Sequence, residues 1–186
     1  MGSKGRVRRG GRVFSMRGKF IGYDGATTSN VLVFDYVSPD RSRAWRVDGA
    51  WIWPITVRGD VGIDGVVGLN AILQTDQILD KPIRINEISD PTDNRVFAWA
   101  QNKYNIRDAE DDFMVSDSGF LRDAQFVIDP DTLVTKELYL SCAMTSDSSL
   151  STEREWGYLI VLREERVSSS ESLFQQIKGM GQNVGS

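Results

Sequence analysis

Carboxylates form the densest reactive cluster in the chain. Asp108, Glu110, Asp111 and Asp112 fall together, and Asp129 with Asp131 makes a smaller group. Such clusters hold Ca²⁺ or Mg²⁺, or divide into a general acid and a general base. The spacing lacks the central glycine and distal glutamate of an EF-hand loop, so solvated turns are the favoured reading. The alternative use is a structural divalent cation held between subunits. Histidine is absent, which removes the usual neutral-pH acid/base and the commonest transition-metal ligand. Cys142 is the single cysteine, which forbids an intramolecular disulfide. Its apolar setting, LYLSCAM, and the lack of a histidine to activate it indicate a buried structural thiol. No phosphate loop, nucleophile elbow or zinc-helix motif occurs. Arg58, Gly59 and Asp60 spell an integrin-recognition tripeptide, but a turn is the more economical use of Gly-Asp there. Together these features argue against an enzyme.

Positive charge is concentrated at one end. Lys4, Arg6, Arg8, Arg9, Arg12, Arg17 and Lys19 are seven cations in residues 1–19, with no carboxylate among them. The other 15 of the 22 basic residues face all 26 acidic ones, so a leader of +7 precedes a body of −11 within a net charge of −4. Glycines at 2, 5, 10 and 11 keep residues 1–12 flexible. A glycine- and arginine-rich arm of this kind is a polyanion binder, because each guanidinium grips a phosphate bidentately and releases condensed counterions. Contact with nucleic acid is therefore favoured over a merely solubilising terminus or salt-bridging to the acidic body.

Aromatic side chains supply the third chemistry. Trp45, Trp51 and Trp53 interleave with Arg43 and Arg46, a pattern that stacks bases on a sheet in single-strand binders. Filling a core or a subunit interface is the preferred reading. Trp51 and Trp53 share a face, and Trp45 joins them if the ladder is unbroken.

The elements that must position these groups are strands. Candidate strands cover 13–23, 30–37, 43–57, 66–74, 82–88, 95–104, 124–128, 133–144 and 156–167, nine in all, separated by turns rich in Gly, Pro, Ser and Asp. Over 31–37, Val31, Val33, Asp35 and Val37 alternate with Leu32, Phe34 and Tyr36, and the near-continuous apolarity suggests burial on both sides. Pro54 marks 43–57 as an edge strand or a bent pair. The last 20 residues change character: Ser168 and Glu171 form a capping box, followed by Leu173, Phe174 and Ile177 on one helical face. A short amphipathic helix over about 169–179 results, which needs a docking surface on its own domain or on a neighbouring subunit.

The 186 residues are 40% hydrophobic, 10% aromatic and 26% charged, which excludes a disordered polar polymer and a disulfide-stapled miniprotein. One domain over 13–167 is expected, between the 1–12 arm and the 168–186 helix and tail. No run approaches the roughly 20 apolar residues of a membrane-spanning helix, and the start is not a secretory signal, so no membrane partner is expected.

The arginine-rich arm, the single β-rich domain, the missing catalytic constellation and the aromatic-rich strands resemble the capsid proteins of small circular single-stranded DNA viruses. Residues 131–140 (DTLVTKELYL), 156–167 (WGYLIVLREERV) and the serine-capped helix are similar to the C-terminal strands and tail of those proteins. The resemblance covers about the last 60 residues and the arm. It implies an all-β, eight-stranded antiparallel jelly roll, subunits that close into an icosahedral shell, and arms facing the packaged genome in the virion. The partners implied are the chain itself and single-stranded DNA, or RNA, with no cofactor. Family arms are often longer and more densely basic. In a 60-subunit shell the present arms would bring roughly 420 charges against on the order of 1,500 phosphates, so cations must share the neutralisation.

On this reading the nucleic-acid contacts are Lys4, Arg6, Arg8, Arg9, Arg12, Arg17 and Lys19, and the subunit contacts include Trp51, Trp53, Leu173, Phe174 and Ile177. The alternatives are an OB-like single-strand binding module, monomeric or dimeric, and a β-sandwich structural protein other than a capsid. A metal enzyme using the Asp108–Asp112 carboxylates is the least favoured.

Overall fold

Runs of apolar residues with period two become strands because each buries one face and pairs its backbone on both sides. A computed structural model describes residues 11–23, 25–36, 42–55, 65–79, 92–106, 114–116, 124–146 and 153–180. Its strands are β1 (Val13–Tyr23), β2 (Thr27–Asp35), β3 (Arg43–Pro54), β4 (Gly65–Gln74), β5 (Val96–Ile106), β6 (Met114–Ser116), β7 (Ala124–Gln125), β8 (Val127–Ile128), β9 (Glu137–Ser146) and β10 (Glu153–Arg166). One helix, α1 (Ser169–Met180), follows. Eight of the nine expected strands fall among the described residues, and two features raise them to these ten. Residues 124–128 divide at Phe126, whose N–H donates to Ala50 O before Val127 pairs with Trp99, so the chain changes sheets there. The short β6 pairs with the end of β5. The expected strand over 82–88 lies outside the described residues, as do Arg58, Gly59 and Asp60.

The first sheet has the order β1-β10-β3-β7 and the second β2-β9-β4-β5-β6, with β8 on β5; every pairing is antiparallel. Strands of the first half pair with strands of the second half in nested order: β1 with β10, β2 with β9, β3 with β7, β4 with β5. This is the wrapped double-Greek-key topology of the jelly roll. A five-stranded OB-like barrel is excluded by the same order.

The core lies between the sheets, and aromatic pairs cross it. Phe34 meets Trp45 edge-on at 5.2 Å, and Tyr104 meets Trp156 at 5.9 Å, each pair joining the two sheets. Leu69, Leu73, Leu138, Leu140, Ile52 and Ile160 fill the space between them. Cys142 is fully buried in this layer, and burial pushes its thiol far above the ordinary range. It is thus held as a protonated, unreactive group.

Two bulges override the expected alternation. In β2 the pairing passes from Thr28↔Cys142 to Val31↔Leu140, and from Leu32↔Tyr139 to Phe34↔Leu138. Val33 and Phe34 are therefore both buried, Leu32 is exposed, and the strand does not carry two clean apolar faces. In β3 the pairing passes from Val47↔Leu162 to Gly49↔Val161, leaving Asp48 extra. The break expected at Pro54 thus sits at Asp48; β3 is an inner strand paired along its length with β10, and Pro54 is its last residue.

Candidate nucleic-acid interface

The basic arm joins the fold at Gly11 and Arg12. Glu164 N–H donates to Arg12 O at 2.8 Å, which ties the arm to β10 just before β1 begins. Lys4, Arg6, Arg8 and Arg9 lie outside the described residues. Arg17 and Lys19 are two positions apart on β1 and so stand on one face, the one opposite the buried Phe20 and the core-packed Met16. Arg12 and Arg17 are exposed and have no ion-pair partner among the described residues. Lys19 Nζ meets Glu155 at 2.7 Å, with side chains 65% and 37% exposed. An ion pair this exposed is worth about 0.2–1 kcal/mol, too little to hold the ammonium against a competing anion.

The bulge at Asp48 sorts the tryptophans. It puts Trp45 and Val47 into the core and turns Gly49, Trp51 and Trp53 outward, so Trp45 does not join the other two. Trp51 and Trp53 are half-buried on the outer face of the first sheet. Two rows cross that face: Arg17–Leu159–Trp51 and Lys19–Gly157–Trp53. The indoles lie down against glycines. A Cβ on Gly157 would stand 2.7–2.9 Å from three ring atoms of Trp53, and one on Gly49 would stand 2.5 Å from the Trp51 ring. Only glycine leaves room for a ring at these two positions. Gly157 lies far downstream of Trp53 and carries no local signal of this role. Gly49, by contrast, shares a period-two pattern with Trp51 and Trp53 that was open to reading.

Arg43 and Arg46, the guanidinium groups nearest the tryptophans in sequence, are engaged. Arg46 grips both oxygens of Glu165, at 2.7 and 3.2 Å, and Arg43 pairs with Glu164. The hydrogen bond to Glu165 raises Arg46 above its ordinary value, and the same contact holds the Glu165 carboxyl below its own. Arg163 meets Asp48 at 2.6 Å, so the bulge residue is clamped to β10. These pairs join β3 to β10 rather than leaving Arg43 and Arg46 open to a ligand.

The C-terminal helix is capped as expected: Glu171 N–H donates to Ser168 Oγ at 3.2 Å. Leu173, Phe174 and Ile177 are 45%, 67% and 55% exposed, so this apolar face is not covered by the described residues of its own domain. Asp108, Glu110, Asp111 and Asp112 lie outside the described residues. The Asp129 carboxylate caps its own turn, accepting from Asp131 N–H at 3.0 Å and Thr132 Oγ1 at 2.7 Å.

One polar centre had no local signature. Asn30 holds a left-handed φ of 57° in the β2 bulge. Its Oδ1 accepts from Gln74 Nε2 at 2.6 Å and Ile78 N–H at 3.0 Å, its Nδ2 donates to Ile78 O, and its own N–H donates to Ser141 Oγ. Three separate segments meet there, away from the tryptophan face.

No protein-family model and no curated protein matches the sequence. In three dimensions the chain is similar to a chain in the structure of turnip yellow mosaic virus, at 10% identity over 85% of this chain and 96% of that one, with a TM-score of 0.36. It is also similar to a chain in the structure of cocksfoot mottle virus, at 13% identity over 92% and 95%, with a TM-score of 0.33.

Proposed function

We propose that this jelly-roll chain is a viral coat subunit, a non-enzymatic protein that associates with copies of itself into an icosahedral shell and faces packaged single-stranded nucleic acid through Lys4 to Lys19. Jelly rolls serve as capsid proteins, lectins and enzymes alike, so the fold alone does not choose. The observation that carries the reading is the charge partition on this fold: a +7 leader is tied to β10 at Arg12 and continues as exposed cations on β1, ahead of a −11 body. A basic leader of this kind suits a shell lining that meets the phosphates of a packaged polymer. The packaged polymer is single-stranded DNA on the resemblance of the arm and C-terminal strands, with RNA as the other substrate for the same contacts. The protein's place is then the virion.

The test is particle size by light scattering and negative-stain microscopy, with and without single-stranded DNA, in low and high salt. Uniform closed particles with salt-releasable nucleic acid are expected. Replacing Arg6, Arg8, Arg9 and Arg12 with alanine should empty or disrupt them and flatten the salt dependence of binding by about three in log–log slope. A protein that stays monomeric under every condition overturns the shell reading.

A further inference from the structure

We infer that the outer face of the β1-β10-β3 sheet is itself a binding surface for an extended single strand of nucleic acid, with bases stacked on Trp51 and Trp53 and phosphates held by Arg17 and Lys19. The inference rests on the proposed reading and names the part of the fold that meets the polymer beyond the arm.

Geometry carries it. With Trp53 laid against Gly157 and Trp51 against Gly49, the half-buried indoles leave ring surface open to solvent on this face. That is how sheet-based single-strand binders use their aromatics. Trp51 and Trp53 are neighbours on one face of β3, with Cα atoms about 6.8 Å apart, so a single extended strand can reach both rings. Arg17 and Lys19 run parallel to them two strands away, about 9.6 Å across the sheet. Between the lines lie only Leu159 and Gly157, and the glycine leaves a low floor on which a sugar can cross from phosphate to base.

Charge and continuity name the occupant. Arg17 meets no carboxylate among the described residues, and the Lys19–Glu155 pair is solvent-exposed. The arm enters at Arg12 on this same sheet, so a polymer gathered by the arm is delivered to the face. A duplex, with its base faces already stacked inside, can use the cations but not the indoles. The face therefore discriminates in favour of single strands.

The experiment uses the full chain with a 20-nucleotide oligothymidine and a duplex of equal length. Tryptophan emission should be quenched by the single strand and not by the duplex. Trp51→Leu with Trp53→Leu should weaken single-strand binding roughly ten- to a hundredfold without altering its salt slope. Arg17→Ala with Lys19→Ala should lower the slope by about 1.4. Trp51→Phe with Trp53→Phe keeps flat rings and should restore most of the affinity, which separates stacking from a fold defect.

Undiminished affinity in the leucine variants overturns the site even if particles form and package normally. Loss of particles with unchanged oligonucleotide binding by the dispersed subunits also overturns it, by assigning the face to a subunit contact. Tryptophan-dependent binding by a protein that never assembles supports the site and sinks the shell reading instead.

Discussion

Trp45 and Trp51 stand on opposite faces of β3 although six positions separate them, because Asp48 is an extra residue in the ladder with β10. An even separation in a regular strand would put both on one side. Trp45 is 4% exposed and packs edge-on against Phe34 and Tyr36, whereas Trp51 is only half-buried. Trp45→Ala should therefore cost about 3–5 kcal/mol of unfolding free energy, and Trp51→Ala less than about 1.5 kcal/mol. Urea titrations with matched m-values check the pair; equal costs would contradict the division of faces.

Asp93 and Arg95 form a buried pair ahead of β5, with side chains 3% and 2% exposed. Arg95 Nε donates to Oδ1 at 2.9 Å and an Nη to Oδ2 at 2.7 Å. The same Oδ1 accepts from the Arg95 backbone N–H at 3.1 Å. Removing the carboxylate takes both of these charge-assisted contacts from a buried guanidinium. Asp93→Ala should cost about 3–5 kcal/mol, and Asp93→Asn nearly as much. Thermal unfolding of the two variants measures this; a loss below about 1 kcal/mol would show that the guanidinium is solvated.

Asn30 makes three side-chain hydrogen bonds, to Gln74 Nε2 and to both backbone groups of Ile78, from a left-handed backbone. Asn30→Asp keeps the two accepted by Oδ1, so it should cost less than Asn30→Leu. The leucine variant loses all three and sits at an unfavourable φ, for a total of about 2–4 kcal/mol. Equal losses in the two variants would show that the hydrogen bonds accepted by Oδ1 do not carry the cost. Amide hydrogen exchange at Ile78 reads the local effect directly.

The parts of this fold that were legible from residues alone are those set by local pattern. β1 occupies the expected 13–23, and α1 starts at the residue its capping box marks, because alternation and a cap depend only on nearby positions. The jelly-roll class entered through the likeness of residues 131–140 and 156–167 to capsid strands, and the strand order bears it out. Pairing of β1 with β10 spans almost the whole chain, and no local signal specifies it. Nor does one specify the bulges, which depend on what the partner strand presents opposite. Asp48 thus moved Trp45 to the core, and Asn30 became a junction, without any change in composition to announce either. The basic stripe was readable as charge, but its floor was not, since Gly157 reaches the site from another strand.

The half-buried Asp76 is pushed above the ordinary aspartate value, chiefly by burial and then by Glu137, against the opposing pull of Lys136 and Arg95. A raised value means that the folded state holds the proton more tightly than the unfolded chain. The contribution to stability is thus full below the unfolded value and lost as pH rises through the folded one. Ionised Asp76 weighs against the fold at pH 7. Asp76→Asn should raise the Tm at pH 7 and leave it unchanged near pH 3. Glu137 has the opposite sign: hydrogen bonding to Lys136 and then to Tyr139 holds it low, so its contribution is present above its unfolded value and lost on acidification. Glu137→Gln should lower the Tm at pH 7 only. The same sign of response in both variants would refute the assignment.

The apolar face of α1 lies uncovered by the described residues of the subunit, with Phe174 67% exposed. A twelve-residue helix is marginal on its own, and here its cap is in place while its apolar side chains rest in water. On the proposed coat reading, that face is covered by another copy of the chain. Leu173→Ser, Phe174→Ser and Ile177→Ser together should therefore leave subunit unfolding within about 0.5 kcal/mol of the parent, since exposed side chains contribute little to the isolated fold. The triple variant should raise the concentration needed for particle formation at least tenfold, read by light scattering, without altering oligonucleotide affinity. Assembly at the parent concentration would show that the helix is not part of the shell contact. A large loss of subunit stability would show instead that it docks on its own domain.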